Sequence, residues 1–283
     1  MHALNLLCYG AMVGLFALIE WLRPVEKQSP RAFVFNLSLF SMLYLGLSGY
    51  YYEMARLHRY VEEFRQVRFG LSNFVGRDLS TVGLIGRFMV FILAADFIKY
   101  WMHRAMHRVP LLWRFHRAHH SDRHVNASTN LREQWAGALY GDVLFAVISA
   151  PLFGVLSLPV PLTAAYIAYG FFAHANLRLS LGALTPIIVG PHYHRIHHSR
   201  LAQHTNVNFA SFFPVFDILF GTYYAPGPDE FPPTGLVGEQ HTSLWRIQLL
   251  PFQRAAIPVT SAATGPADTD PPIAREPAKG LVY

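Results

Sequence analysis

Fifteen histidines in 283 residues are the feature of this chain most able to do chemistry. Histidine is the commonest protein metal ligand and titrates near neutrality. Nine of the fifteen fall at four places, eight of them in three groups. His103 and His107 form H-x-x-x-H; His116, His119 and His120 form H-x-x-H-H; His194, His197 and His198 repeat that second pattern; and His174 stands alone near the end of an apolar stretch. Residues three and four apart on a helix share a face, so each group can aim two or three imidazoles at one point. One ion takes about four to six ligands, whereas two ions sharing nine imidazoles keep positions open for water or oxygen. Imidazole suits zinc, copper, iron and nickel alike, so the ligand type alone does not choose the metal. A zinc hydrolase of the H-E-x-x-H kind needs a glutamate as general base, and Arg104 stands in that place. A metal transporter spreads ionisable groups through the bilayer, whereas these histidines gather at one end of their helices.

The elements that must position them are apolar. The chain is 52% hydrophobic and only 14% charged, with a mean hydropathy of +0.24, against about 25% charged residues in soluble domains. A membrane helix needs about 20 mostly apolar residues. Five stretches qualify: Ala3–Leu22, Phe33–Tyr52 ending in the aromatic belt Tyr50, Tyr51 and Tyr52, Leu79–Trp101, Gln134–Leu156 and Pro161–Leu177. The first has no basic leader or small-residue cleavage site and is read as retained. The segment Glu53–Asp78 is charged and reads as interfacial. The prolines of Ser157–Pro161 make the last two helices a hairpin. Three regions follow: N-terminal helices and interfacial segment over 1–78, a catalytic domain over 79–228, and a Pro/Gly-rich segment over 229–283, apolar at Leu244–Phe252 and disordered after about 254. The single cysteine, Cys8, excludes a disulfide framework and a cysteine zinc cage.

Arginines orient the helices. Arg23, Lys27 and Arg31 follow the first, and Arg104, Arg108, Arg114, Arg117, Arg123 and Arg132 follow the third. Both loops fall on one side if each helix spans once, and the positive-inside rule makes that side cytoplasmic. Five further arginines, Arg56, Arg59, Arg65, Arg68 and Arg77, fall outside and oppose the assignment. On this topology all nine histidines return to one membrane face. The fold expected is therefore an all-α integral-membrane protein, with four to five transmembrane helices under a cytosolic helical cap carrying the dimetal site.

The residues also carry a resemblance. Asp96-x-x-x-Tyr100-Trp101-x-His103-Arg104-x-x-His107 resembles the first motif of the fatty acid hydroxylase superfamily, which includes sterol desaturases and alkylglycerol monooxygenase. Trp113-Arg114-Phe115-His116-Arg117-Ala118-His119-His120-Ser121 is similar to its second, and His194-Arg195-Ile196-His197-His198-Ser199 to its third. Asn208-Phe209 and Asp217-Ile218-Leu219-Phe220-Gly221-Thr222-Tyr223 resemble its closing signature. The resemblance implies two iron ions, dioxygen as co-substrate, and hydroxylation or desaturation of a lipid (sterol-like, fatty acyl, carotenoid or ether lipid). Iron with dioxygen also suits C–H oxidation, since zinc has no redox chemistry. Some relatives carry a further histidine one turn before the His174 position, where this chain has Gly170. Many bacterial members read Arg-Phe-His-Pro where it has Leu131-Arg132-Glu133-Gln134.

Around the nine expected ligands, Asp96 and Asp217 are candidates for holding a ligand from behind, Asp96 by setting a histidine tautomer. His192 is an alternative to His174, while His124 and His204 sit near the motifs as surface or supporting residues. His2, His58 and His241 are bystanders. With no nucleotide-binding glycine motif and no haem-binding segment, electrons must come from a separate ferredoxin- or cytochrome-type donor, docked on the arginine-rich face. Nothing points to a nucleic-acid partner. The location expected is a bacterial inner membrane with the site on the cytoplasmic side, or the endoplasmic reticulum in a eukaryote.

Overall fold

The computed structural model describes residues 2–28, 30–47, 49, 53, 56, 60, 81–153, 160–237 and 243–253. Most of the expected interfacial segment, the connection at 154–159 and the tail from 254 lie outside them. Five long helices dominate: α1 (His2–Leu22), α2 (Pro30–Gly46), α3 (Thr81–Arg108), α5 (Trp135–Phe153) and α6 (Val160–His174). Shorter helices are α4 (Pro110–His120), α7 (Pro191–His197), α8 (Val215–Leu219) and α9 (Leu244–Gln248). Among the described residues there is no β-strand, only the isolated bridges Pro24–Leu177 and Ser199–Thr234.

The five helices fall on the five apolar stretches with ends shifted by a few residues. The largest shift is in α3, which continues past Trp101 to Arg108 and is about 42 Å long. His103 and His107 thus ride on the last turns of one unbroken helix. Among the described residues, no helix is long and apolar enough to cross a membrane. Of the five, α2 and α6 have 17 and 15 residues, short of about 20, and α3 carries Arg87, Asp96 and Lys99.

Local chemistry sets the starts of the site-bearing elements. Pro110 and Pro191 open α4 and α7 at the first turn, where a missing N–H costs nothing. Gln134 caps α5, its Oε1 accepting from the amides of Ala136 and Gly137 at 2.7 and 3.1 Å. Between α4 and α5, a 3-10 turn over Ala127–Leu131 is opened by a capping box between Asn126 and Thr129.

One end of the bundle receives α1, α3 and α6 by their C-termini and α2 and α5 by their N-termini. Glu20, in the last turn of α1, accepts from the amides of Ala127 and Asn176 at 2.6 and 2.7 Å. That tie fixes α1 beside the end of α6 and beneath the 3-10 turn. Asn36 of α2 donates to Asp122 and Ser128 at 3.0 Å each. Phe171 of α6 packs against Tyr9 and Phe16 of α1, with ring centroids 6.2 Å apart in both pairs. A second core joins Leu39 of α2, Ala118 of α4, and Ile247 and Leu250 of the 244–252 segment. The motif-bearing α4 and α7 sit across this end.

Candidate metal centre

All nine expected histidines meet in two groups. His103, His107, His116, His120 and His197 form one; His119, His174, His194 and His198 form the other. Within each group every residue offers a ring nitrogen, all within 4.8 Å of one another. The split crosses the motifs. From the first H-x-x-H-H, His116 and His120 join the five-membered group and His119 the four-membered one; from the second, His194 and His198 join the four and His197 the five. All three residues share one face, but i+4 lies about 40° to one flank of i and i+3 about 60° to the other, so the i+3 ring leans towards the neighbouring nest.

The nitrogen geometry suits bound cations. In the five-membered group, Nε2···Nε2 distances are 3.0 Å for His103–His116, 3.2 Å for His116–His120 and 3.1 Å for His107–His120. In the four-membered group they are 3.1 Å for His119–His174, 2.9 Å for His174–His194 and 3.2 Å for His194–His198. Two imidazoles bound at about 2.1 Å and at right angles on one ion stand about 3 Å apart. The tautomers strengthen the case. His174 Nδ1 lies 2.8 Å from the Gly170 carbonyl. His119 Nδ1 faces the Arg132 carbonyl at 3.3 Å and the Glu133 carboxylate at 3.9 Å. The two carbonyls only accept, so each Nδ1 carries the proton and each Nε2 is a bare lone pair. Two bare lone pairs 3.1 Å apart repel unless a cation lies between them. His197 repeats the pattern, with Nδ1 2.8 Å from the Val207 carbonyl and Nε2 buried without a partner. Burial first, and neighbouring histidines after it, hold His116, His119, His120, His194, His197 and His198 well below the ordinary imidazole value. They are neutral at pH 7, the form that binds metal.

Asp96 plays a different part from the one expected. Its hydrogen bonds go not to a histidine ring but to the backbone amides of Ser211, Phe212 and Phe213, at 2.8, 3.1 and 2.7 Å. Asp217 likewise accepts from the amides of Phe209 and Ala210, from the Thr222 hydroxyl and from the Tyr193 hydroxyl. Both carboxylates therefore shape the 207–213 loop. Its carbonyls at Val207 and Phe209 take the Nδ1 protons of His197 and His103, each at 2.8 Å. Backbone carbonyls set the tautomers here, and no pattern of side chains in the sequence announces a carbonyl.

The remaining candidates stand apart. His192 bonds the Glu230 carbonyl at 2.8 Å and stacks on Phe231, so it does not replace His174. His204 is fully buried and bonds the Glu230 carboxylate at 2.9 Å, while His124 is exposed. His2, His58 and His241 have no described side chains. Gly170 sits where a further ligand was in question, and a Cβ there would come within 2.7 Å of Asn130 Oδ1. Arg132 and Arg117, expected at a docking face, are buried. Arg132 donates to the Ala118 carbonyl, Asn36 and Ser121 at 3.0, 2.9 and 3.0 Å. Arg104 turns away to the Tyr100 hydroxyl and the Phe220 carbonyl.

Fold and site together define a helical protein that gathers two buried all-histidine nests at one end of its bundle. Residues 88–222, a little under half of the chain, match the family model described as fatty acid hydroxylase. It is similar to human alkylglycerol monooxygenase, 34% identical over 47% of this chain and 29% of that protein. It also resembles the ornithine lipid hydroxylase OlsE of Rhizobium tropici, 28% identical over 58% of this chain and 49% of that protein. A third relative is the very-long-chain aldehyde decarbonylase GL1-6 of Oryza sativa subsp. indica, 25% identical over 50% of this chain and 24% of that protein. The chain thus spans from about a quarter to half the length of these relatives. No solved structure matches it.

Proposed function

We propose that the chain is an integral-membrane oxygenase that hydroxylates a lipid, with dioxygen as oxidant and two irons held by the nine histidines. The observation that carries this reading is the paired nests of neutral imidazoles with bare nitrogens about 3 Å apart. Two irons, when bound, supply the redox chemistry that attacks an unactivated C–H bond. The protein's own carbonyls hold His103, His119, His174 and His197 with Nε2 free for a metal, and the four-histidine nest is buried throughout. The H-E-x-x-H position lacks its base, since Arg104 stands there and points away to the Tyr100 hydroxyl and the Phe220 carbonyl. The overall change, R–H + O2 + 2e− + 2H+ to R–OH + H2O, needs an external reductant, and a ferredoxin- or cytochrome-type donor fits that need.

Lipid as the substrate class is supported by relatives named for alkylglycerol, ornithine lipid and very-long-chain aldehyde. The names monooxygenase and hydroxylase favour oxygen insertion over desaturation. The membrane setting is supported by the apolar side chains that α3 leaves open, Met89, Val90, Leu93 and Phe97 among them, with the histidine end on the cytoplasmic side of a bacterial inner membrane. The test is metal analysis of the purified chain together with heavy-oxygen labelling of lipid extracts from a strain that carries or lacks it. About two irons per chain and a labelled hydroxyl are expected. Zinc without oxygen uptake overturns the proposal, and a new double bond without label reassigns it to desaturation.

A further inference from the structure

Asn208 lies between the two carbonyls that accept from His197 and His103, and its own φ is +59°. Left-handed backbone is rare outside glycine, and asparagine tolerates it best when its side chain bonds locally. Here the side chain bonds instead to distant parts of the chain, three times. Nδ2 donates to the carbonyls of Tyr193 and Tyr224 at 3.3 and 3.1 Å, and Oδ1 accepts from the Tyr224 amide at 2.8 Å. Asn208 is fully buried, so water cannot replace these bonds. One side chain thus pins the 207–209 turn to α7, through Tyr193, and to the strand-like run after α8, through Tyr224. The two rings aligned by that turn both belong to the five-histidine group. The four-histidine group takes its carbonyls elsewhere, from Gly170 in α6 and from Arg132 beyond α4.

We propose that Asn208 is a positioning residue for the five-histidine site alone, which makes the two metal positions separately tunable. The inference rests on the dimetal reading above. Outer partners that orient ligating histidines are worth about 10–100-fold in metal affinity. Loss of the Asn208 side chain is therefore expected to weaken one ion by that factor and leave the other near its wild-type affinity.

The test uses the full chain in detergent or lipid nanodiscs, titrated with iron(II) and, for a spectroscopic readout, cobalt(II). N208G keeps the left-handed turn without strain and removes all three bonds. N208D keeps the acceptor for the Tyr224 amide but sets a carboxylate oxygen against the Tyr193 and Tyr224 carbonyls. In both variants, binding at limiting metal falls from two ions towards one, and one of two cobalt signatures shifts. Loss of both ions in parallel, or two ions held as in the wild type with unchanged spectra, overturns the inference while leaving the function intact. A wild-type chain that takes up fewer than two ions overturns the dimetal reading and this inference with it.

Discussion

Replacing Arg132 by methionine tests how the bundle end is held together. The guanidinium is 4% exposed and donates three hydrogen bonds, to the Ala118 carbonyl at 3.0 Å, Asn36 Oδ1 at 2.9 Å and Ser121 Oγ at 3.0 Å. Ala118 and Ser121 flank the His119–His120 pair, and Asn36 belongs to α2, so Arg132 ties a ligand-bearing helix to the bundle. A bond from a charged donor contributes about 1.5–3 kcal/mol, which gives a gross loss of about 4.5–9 kcal/mol. Methionine keeps the apolar stem beside Phe35, whose ring now lies 4.9 Å from the guanidinium carbon, and recovers part of the gross figure. The partners stay buried and cannot rehydrate, so the expected net loss is about 4 kcal/mol, in the range for breaking a buried charged network. At about 2–4 °C per kcal/mol for a chain of this size, the unfolding midpoint falls by about 12 °C. R132K keeps the charge but cannot fork three ways, and falls by less. Thermal unfolding of the detergent-solubilised, metal-loaded protein by tryptophan fluorescence reads the shift. A midpoint for R132M within 2–3 °C of wild type (roughly 1 kcal/mol at this scale) refutes the reasoning.

Three other expectations follow from particular contacts. G170H places a side chain where Cβ alone meets Asn130 at 2.7 Å; it costs about 1–3 kcal/mol by overpacking, and N130A in the same chain recovers most of it in the same unfolding assay. G235A puts a Cβ on a residue with φ +103°, 2.9 Å from Arg123 Cγ and 3.3 Å from its Cα, beside the Gly235 amide that bonds the His198 carbonyl. A loss of about 2–4 kcal/mol is expected, and an unchanged midpoint contradicts the strain. In metal-free protein, six buried imidazoles lie well below their unfolded value of 6.5. The unfolded chain therefore takes up protons first as pH falls. Stability is complete above about pH 6.5 and drops by up to about 1.4 kcal/mol per ring for each unit below it; a midpoint that is flat from pH 7.5 to 5.5 rules this out.

The nine histidines were legible because their chemistry is carried by side chains at helical spacing, and the helices were legible because their apolar runs are long. The division into five and four was not stated by the motifs, although the i+3 and i+4 offsets contain it. Asp96 misled for a physical reason: a carboxylate seven residues before His103 lies on the same face as a ligand, but α3 lies against the 211–213 loop at that height, and three amides claim it. Arg132 reads as a loop cation in sequence because its partners, on α2 and α4, are 96, 14 and 11 residues away. Asn208 sits in a recognisable signature, yet its work is done through backbone carbonyls on either side, which every residue type possesses.

Because each H-x-x-H-H helix divides its rings between the two nests, neither nest has a frame of its own. A displacement of α4 or α7 as a body therefore moves rings of both nests at once, whereas a shift of the Val207 or Phe209 carbonyl moves rings of the five-histidine nest only. The helices set the spacing between the nests, and the carbonyls behind the rings set the alignment within each.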